Sequence, residues 1–203
     1  MSQKDLNMID KIIKNHRLVL ASSSPRRQEL FKMLGLSFLV RISDVDEPIL
    51  ECSPESQAMT NAKNKALAVR GDDPSEIIVA ADTLVVLEGK LLGKPKDKNE
   101  AFAFLSALQG KKHHVITGIC IVRGDEVRTA HEISSVYFAE MDESEIRDYI
   151  ATNEPMDKAG AYGIQGFGSQ FVKRIEGCYF NVMGFPIHLF YKTLKSMQNE
   201  GIL

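Results

Sequence analysis

Short apolar runs alternate along the chain with polar segments whose hydrophobic positions recur at helical spacing. Arg17 to Ala21 is the first run and reads as a strand. Ser22-Ser23-Ser24-Pro25 then opens a helix, with Ser24 as N-cap and Pro25 at the first helical position, and Gly35 stops it. Ser53-Pro54 starts a second helix by the same chemistry, extending to about Arg70. Ile77 to Leu87 is a strand-like run interrupted by Asp82-Thr83, followed by a turn at Glu88-Gly89-Lys90. Asp97 and Glu100 form a capping box before a helix over Ala101 to Leu108, which Gly110 closes. Val115 to Val122 and Val127 to Phe138 read as two strands joined at Arg123-Gly124-Asp125. Asp142 and Glu145 cap a further short helix. A stretch holding Gly160, Gly163, Gly166 and Gly168 follows, then a strand over Phe171 to Ile175 and a last helix after Pro186. Strands interleave with helices throughout, so the expected fold class is α/β with a mixed sheet.

With 203 residues the chain can bury a substantial core, as one domain or two closely packed lobes. A formal net charge of −2 argues against a nucleic-acid binder with a broad basic surface, but leaves room for a local cationic pocket. No apolar run is long enough to span a bilayer, and the amphipathic start MSQKDLNMIDKIIKNHR lacks the pattern of a secretory signal. Cys52, Cys120 and Cys178 are far apart, with no C-x-x-C pair, so neither a disulfide framework nor a zinc knuckle is expected. A cytoplasmic, reducing location follows as the expectation.

Candidate chemistry gathers at a few places. The turn Ser22-Ser23-Ser24-Pro25-Arg26-Arg27 puts small residues and two guanidinium groups at a helix N-terminus, where free N–H groups and the dipole favour an anion such as phosphate. Two solvated arginines behind an ordinary cap are the plainer alternative. Asp82 is flanked by strongly apolar residues on both sides, so its carboxylate needs a cation, a proton or a metal. A strand bulge capped by its neighbours is the competing reading. On a helical wheel Lys65 falls on the face of Ala58, Ala62, Ala66 and Val69, while Lys63 points away. It either snorkels to the edge or meets an anion in a cleft. Lys94, in Gly93-Lys94-Pro95, is folded back towards Asp82 by the preceding hairpin, although alone it is an ordinary loop lysine. Asp44, Asp46 and Glu47 offer oxygen ligands suited to Mg²⁺ or Mn²⁺, or else form a solvated loop. The run Asp157 to Gly166 lets backbone approach a planar ligand, and the Gln165 amide has both donors and an acceptor for a base edge. Its spacing matches neither G-x-G-x-x-G nor a P-loop. His113 and His114 are adjacent on a predicted strand and face opposite ways, so they do not share a metal.

Taken in order, these pieces resemble the Maf family of nucleotide pyrophosphatases. The resemblance is carried by LVLASSSPRRQEL from Leu18, DVDE from Asp44, NAKNKA from Asn61, AADTLVV from Ala80, GKP from Gly93, NEPMDKAGAYGIQG from Asn153 and NVMGFP from Asn181. It covers the chain from about Arg17 almost to its end, which makes residues 1–16 an N-terminal extension and residues 17–203 the family domain. It implies a twisted mixed sheet with flanking helices, in two lobes around a central cleft, as in Maf and inosine-triphosphatase-like proteins. It also implies hydrolysis of nucleoside triphosphates to monophosphate and pyrophosphate by a cytoplasmic homodimer with Mg²⁺ or Mn²⁺, a house-cleaning activity needing no nucleic acid or membrane. Asp82 would be the acid–base residue or metal ligand, with Glu47 beside it at the metal and Lys94 in the same catalytic set. Ser22, Arg26, Arg27, Lys65 and Lys94 would hold the triphosphate. Arg26, Thr83 and Gln165 match positions associated with base discrimination. The form of the late loop resembles the dTTP/UTP-type branch rather than the 7-methyl-GTP one. Two departures are Asn153, where Gly is usual before Glu-Pro, and Gln109, where Ser often precedes Gly. Other readings of the same pocket are a non-catalytic nucleotide-sensing or division-regulating module, and a pyrophosphatase for non-canonical purine nucleotides.

Overall fold

A computed structural model describes residues 8–203. Residues 1–7 of the expected extension lie outside the described residues. The rest of that extension includes a short helix, α1 (Met8–Ile13), with Ile9 and Ile13 buried. The elements that follow are β1 (Arg17–Leu20), α2 (Pro25–Met33), β2 (Phe38–Val40), α3 (Pro54–Ala68), β3 (Glu76–Leu87), β4 (Lys90–Leu92) and α4 (Lys98–Leu108). Then come β5 (Lys112–Arg123), β6 (Glu126–Phe138), α5 (Glu143–Ala151), three 3-10 turns (Glu154–Asp157, Ala159–Ala161, Gly166–Phe171), β7 (Val172–Glu176), α6 (Tyr179–Val182) and α7 (Ile187–Asn199). The seven strands form one open mixed sheet in the order β2-β1-β3-β5-β6-β7, with β4 paired to β3. Helices flank it, as the alternation of elements predicted.

The chain divides into two compact units, and β3, β5 and β6 each run on from one into the other. The first comprises the described part of Met1–Asp82 together with Gly118–His131 and Gly184–Leu203. Here β1 lies parallel to both neighbours, Leu18 opposite Phe38 of β2 and Ile77 of β3. A parallel strand covered on both faces needs an unbroken apolar run. Leu18, Val19, Leu20 and Ala21 are accordingly buried, as are Ile77 to Ala81. Val19, Ala21, Ile78 and Ala80 pack with Ala62 and Ala66 of α3. Alanine suits that face because the helix backbone comes very close: a Cβ built on Gly118 of β5 would lie 2.4 Å from the Ala58 carbonyl carbon. Phe31 of α2 packs edge-on to Phe185 and beside Phe190 of α7, with ring centroids 5.0 and 5.7 Å away.

The second unit, Thr83–Thr117 with Glu132–Met183, has its own core, in which Leu105 and Leu108 of α4, Val136 and Phe138 of β6 and Ile146 and Tyr149 of α5 meet. Asp142 and Glu145 form the predicted capping box on α5.

The strand expected through Asp82 is present: β3 continues past the polar pair Asp82-Thr83 to Leu87, and Asp82 finds a cation and an amide partner, so the competing reading of a bulge does not hold. Two local expectations are corrected. The Ser24 side chain does not cap α2; the Ser24 N–H instead donates to the Ser22 hydroxyl at 3.2 Å. Asp97 caps α4, but Glu100 reaches back to the Lys96 N–H rather than closing a box onto Asp97.

Candidate active site

In the first unit, three residues predicted separately from the sequence come together. The Lys65 ammonium, on α3, donates to Asp82 Oδ1 and lies equally close, 2.6 Å, to Glu47 Oε1. The Asp82 side chain is 6 % exposed and Lys65 13 %, whereas Glu47 is 48 % exposed on the connection between β2 and α3. A carboxylate so deep in a strand is tolerable only with its charge and lone pairs met. Asn61, one turn before Lys65, supplies the second partner by donating to Asp82 Oδ2 at 3.0 Å.

In the sequence, Asn61 only heads the NAKNKA stretch and has no assigned role, and Gln57 has none either. Its amide nitrogen donates to Asn61 Oδ1 at 3.0 Å and to the Pro48 carbonyl at 2.8 Å, while its oxygen accepts from the Leu50 N–H at 2.6 Å. That one buried amide thus holds the connection carrying Glu47 against α3. The signal was available: Gln57, Asn61 and Lys65 are spaced by four, which stacks them on one helix face beside the alanines.

The turn after β1 also belongs to this unit. Ser22 and Arg27 are buried, Arg26 only partly. Arg27 donates through Nε to the Gly184 carbonyl at 2.8 Å and through Nη1 to the Ser22 hydroxyl at 3.1 Å. Burial pushes this guanidinium down from its ordinary range, and the charges of Asp82 and Glu47 oppose that fall, with Arg26 adding to it. α2 has no acidic residue in its first turn, so its N-terminal dipole and both arginines present positive potential of one sign.

The second unit holds the remaining candidates. The partly buried Thr83 has its hydroxyl 3.0 Å from that of Thr117, which itself donates to the Asn181 carbonyl at 3.1 Å. Since the Thr117 proton is committed there, Thr83 is the donor between them. Asn181 is buried and donates to the Val115 carbonyl and the Ser134 hydroxyl, a structural role for the first residue of the NVMGFP motif. β4 runs antiparallel to β3, with Leu92 opposite Val85, and leads to an exposed Lys94. The Gly93 carbonyl accepts from the Gly160 N–H at 3.0 Å, tying the Lys94 loop to the glycine-rich segment. Gly160 sits at φ +69, where an added Cβ would come within 2.9 Å of Val85, so no larger residue fits. Gln165 is exposed. Asn153 has φ 60 and ψ 0, the left-handed conformation that explains a usual Gly there, and Asn tolerates it better than other residues. Gln109 accepts from the Met141 N–H at 3.4 Å.

Glu47 and Asp82 direct carboxylate oxygens at one cationic atom, the Lys65 nitrogen, at 2.6 Å each. Two converging carboxylates suit a hard ion that keeps water and completes its shell with phosphate oxygens. Among the described residues no group of three or more His, Cys, Asp or Glu could hold a metal by protein ligands alone. Asp44 and Asp46 are exposed.

The chain is 47 % identical over 186 residues to a dTTP/UTP pyrophosphatase of Symbiobacterium thermophilum, covering 91 % of this chain and 94 % of that one. It is 42 % identical over 181 residues to a dTTP/UTP pyrophosphatase of Aquifex aeolicus, covering 89 % and 95 %. In structure it is similar to the Staphylococcus aureus Ham1 protein, with a TM-score of 0.51 over 89 % of this chain and 98 % of that one. At 15 % identity this likeness speaks for the fold alone. The model of the Maf-like protein family matches residues 17–197, and the chain belongs to that family.

Proposed function

We propose that this protein hydrolyses nucleoside triphosphates, principally dTTP, UTP and modified pyrimidine nucleotides, to the monophosphate and pyrophosphate, cleansing the nucleotide pool. The observation that carries the reading is the Glu47–Lys65–Asp82 cluster, in which a carboxylate buried in an apolar strand meets an ammonium group at 2.6 Å. Its support is the 42 % and 47 % identity to proteins named dTTP/UTP pyrophosphatase over nearly the whole chain.

In this mechanism a water oxygen attacks the α-phosphorus in line with the α–β bridging oxygen. The new P–O bond forms as the bridging bond breaks, pyrophosphate departs with the electron pair, and Asp82 takes the water proton. Asn61 and Lys65 fix the Asp82 carboxylate through one oxygen each, so it is already oriented when water arrives. Lys65 has three N–H donors, so while it holds the two carboxylates its third remains for a phosphate oxygen. Ser22, Arg26 and Arg27 supply hydroxyl, guanidinium and helix N-terminal potential for phosphate oxygens, and the exposed Lys94 adds a cation for the departing pyrophosphate. Arg27 also braces this turn, because its Nε and Nη1 are already committed. Mg²⁺ or Mn²⁺ held by Asp82 and Glu47 would supply Lewis-acid neutralisation of phosphate charge. Thr83 and Gln165 read the base. By the same family likeness the working form is a cytoplasmic homodimer acting on free nucleotides. No described helix is long and apolar enough to cross a membrane.

Pyrophosphate release from a panel of UTP, dTTP, CTP, ITP and 7-methyl-GTP tests the reading. The wild type should turn over UTP and dTTP fastest, and Asp82→Asn should lower turnover by about 10²–10⁴-fold while its circular dichroism is unchanged. A wild type that binds nucleotides without releasing pyrophosphate, or an Asp82→Asn variant that keeps its rate, would remove the hydrolytic assignment.

A further inference from the structure

Gln165 lies in a turn pinned on both sides of it by partners within the second unit. On one side, the Tyr162 hydroxyl lies 2.8 Å from His113 Nε2, and the Gly163 N–H donates to the Tyr149 hydroxyl at 3.2 Å. On the other, the Phe167 N–H donates to Glu154 Oε2 at 2.9 Å and the Gly168 N–H to Glu154 Oε1 at 3.0 Å. Tyr149 joins the two sides by donating to Glu154 Oε1 at 2.9 Å. A single carboxylate thus collects three donors. Burial raises the Glu154 pKa, but the Phe167 and Gly168 N–H groups and the Tyr149 hydroxyl outweigh it and hold the group below the usual carboxylate range.

The glycines of this segment follow from the same clamp. Gly166 has φ +75, and an added Cβ would lie 2.5 Å from Glu154 Oε2. At Gly168 it would lie 2.5 Å from the Tyr149 hydroxyl oxygen. Real Cβ atoms do not approach so closely, so the chain wraps the Glu154 and Tyr149 side chains as tightly as backbone can. Gln165 itself is exposed, and its amide makes no hydrogen bond to the described residues. A rigid turn that offers one unengaged amide between two anchored flanks is suited to reading a hydrogen-bonding ligand edge.

We infer that Glu154 is a positioning residue for base selection: with the Tyr149 hydroxyl it fixes the Gly163–Gly168 turn and so the place where Gln165 meets the pyrimidine edge. This rests on the reading of Gln165 as the base-contacting amide. Glu154 touches no reacting atom and acts through the turn. Loosening the turn raises KM and flattens the preference among bases while kcat for a saturating nucleotide changes little.

The test compares wild type, Glu154→Ala, Glu154→Gln, Gln165→Ala and the double variant Glu154→Ala/Gln165→Ala, by pyrophosphate release from UTP and CTP and by amide hydrogen exchange of residues 163–168. Glu154→Ala should speed exchange across the turn and reduce the UTP-over-CTP ratio of kcat/KM by about tenfold, mainly through KM. The double variant should be no worse than Gln165→Ala alone, since both changes remove one contact. Glu154→Gln, which fits the same space, should fall between wild type and Glu154→Ala and keeps the comparison informative if the alanine variant is unstable. Unchanged exchange in Glu154→Ala overturns the clamp. Faster exchange with an unchanged base ratio in Gln165→Ala overturns the inference through its reading of Gln165. A loss confined to kcat, equal for both nucleotides, overturns it as well. A wild type with no turnover would instead fail the hydrolytic assignment before any variant is compared.

Discussion

Acidification should unfold this protein partly through one buried imidazole. His113, at the start of β5, is 1 % exposed. It packs edge-on against Phe138 and Tyr162 with ring centroids 5.0 and 5.3 Å away. Nε2 meets the Tyr162 hydroxyl, and Nδ1 has no partner among the described residues. Burial, with a smaller contribution from His114, lowers its pKa from 6.5 to about 4. The folded state therefore holds the ring neutral where the unfolded chain would already have protonated it. The unfolded state binds the extra proton between these two values, so stability is fully present above about pH 6.5 and falls as pH drops towards 4. At about 1.36 kcal/mol per unit, the full loss is about 3 kcal/mol, of which about 2 kcal/mol appears between pH 7 and pH 5. Urea unfolding of wild type and His113→Gln at pH 7, 6 and 5 isolates this contribution as the difference between the two pH profiles. The wild-type profile should be steeper by that amount. Parallel profiles would mean that the imidazole is solvated or paired in the folded protein, and the reasoning would fail.

Three other expectations concern α3 and its partners. Gly118→Ala should destabilise the fold by roughly 1–3 kcal/mol and lower activity too, because the new methyl would drive back the helix that carries Asn61 and Lys65; chemical denaturation within about 0.5 kcal/mol of wild type would contradict this. Lys65→Met should abolish turnover and cost about 3–5 kcal/mol by leaving Asp82 buried with only Asn61 as partner. Adding Asp82→Asn should restore much of that stability but no activity, measured as the melting temperature beside pyrophosphate release. Gln57→Glu removes the donors to Pro48 and Asn61 and should cost about 1–3 kcal/mol, with faster proteolysis of the 44–50 connection; a wild-type cleavage rate would refute the hook.

Much of this architecture was legible because local chemistry and tertiary structure agree. Ser53-Pro54 starts α3, and its Ser53 side chain accepts from the Ser56 N–H as an N-cap should. Asp142 and Glu145 begin α5, and the Lys65 wheel position leads to its carboxylates. What escaped depends on partners distant in sequence. That Asp82 sits in a strand and needs a partner was legible, but not that Asn61 of α3 supplies the donor to its second oxygen. Ser24 looks like the cap of α2, but the Ser22 hydroxyl is turned inward by Arg27 and takes the Ser24 N–H instead. β2 is three residues long, and two of them are exposed, so no apolar alternation announces it. The role of Glu154 could not be read from NEPMDKAGAYGIQG, since its donors Phe167 and Gly168 lie beyond that motif.

The row of Gln57, Asn61 and Lys65 has a consequence for how this helix can change its length. One residue inserted or deleted between Ser53 and Lys65 would turn everything on one side of it by about 100° and swing the ammonium off its two carboxylates. Past Lys65 the constraint lapses, because Leu67 and Ala68 are exposed and no further polar group must face inward. Length variation in this helix should thus be confined to its final turn, and an insertion scan along 54–70 would find the edge of tolerance just beyond Ala66.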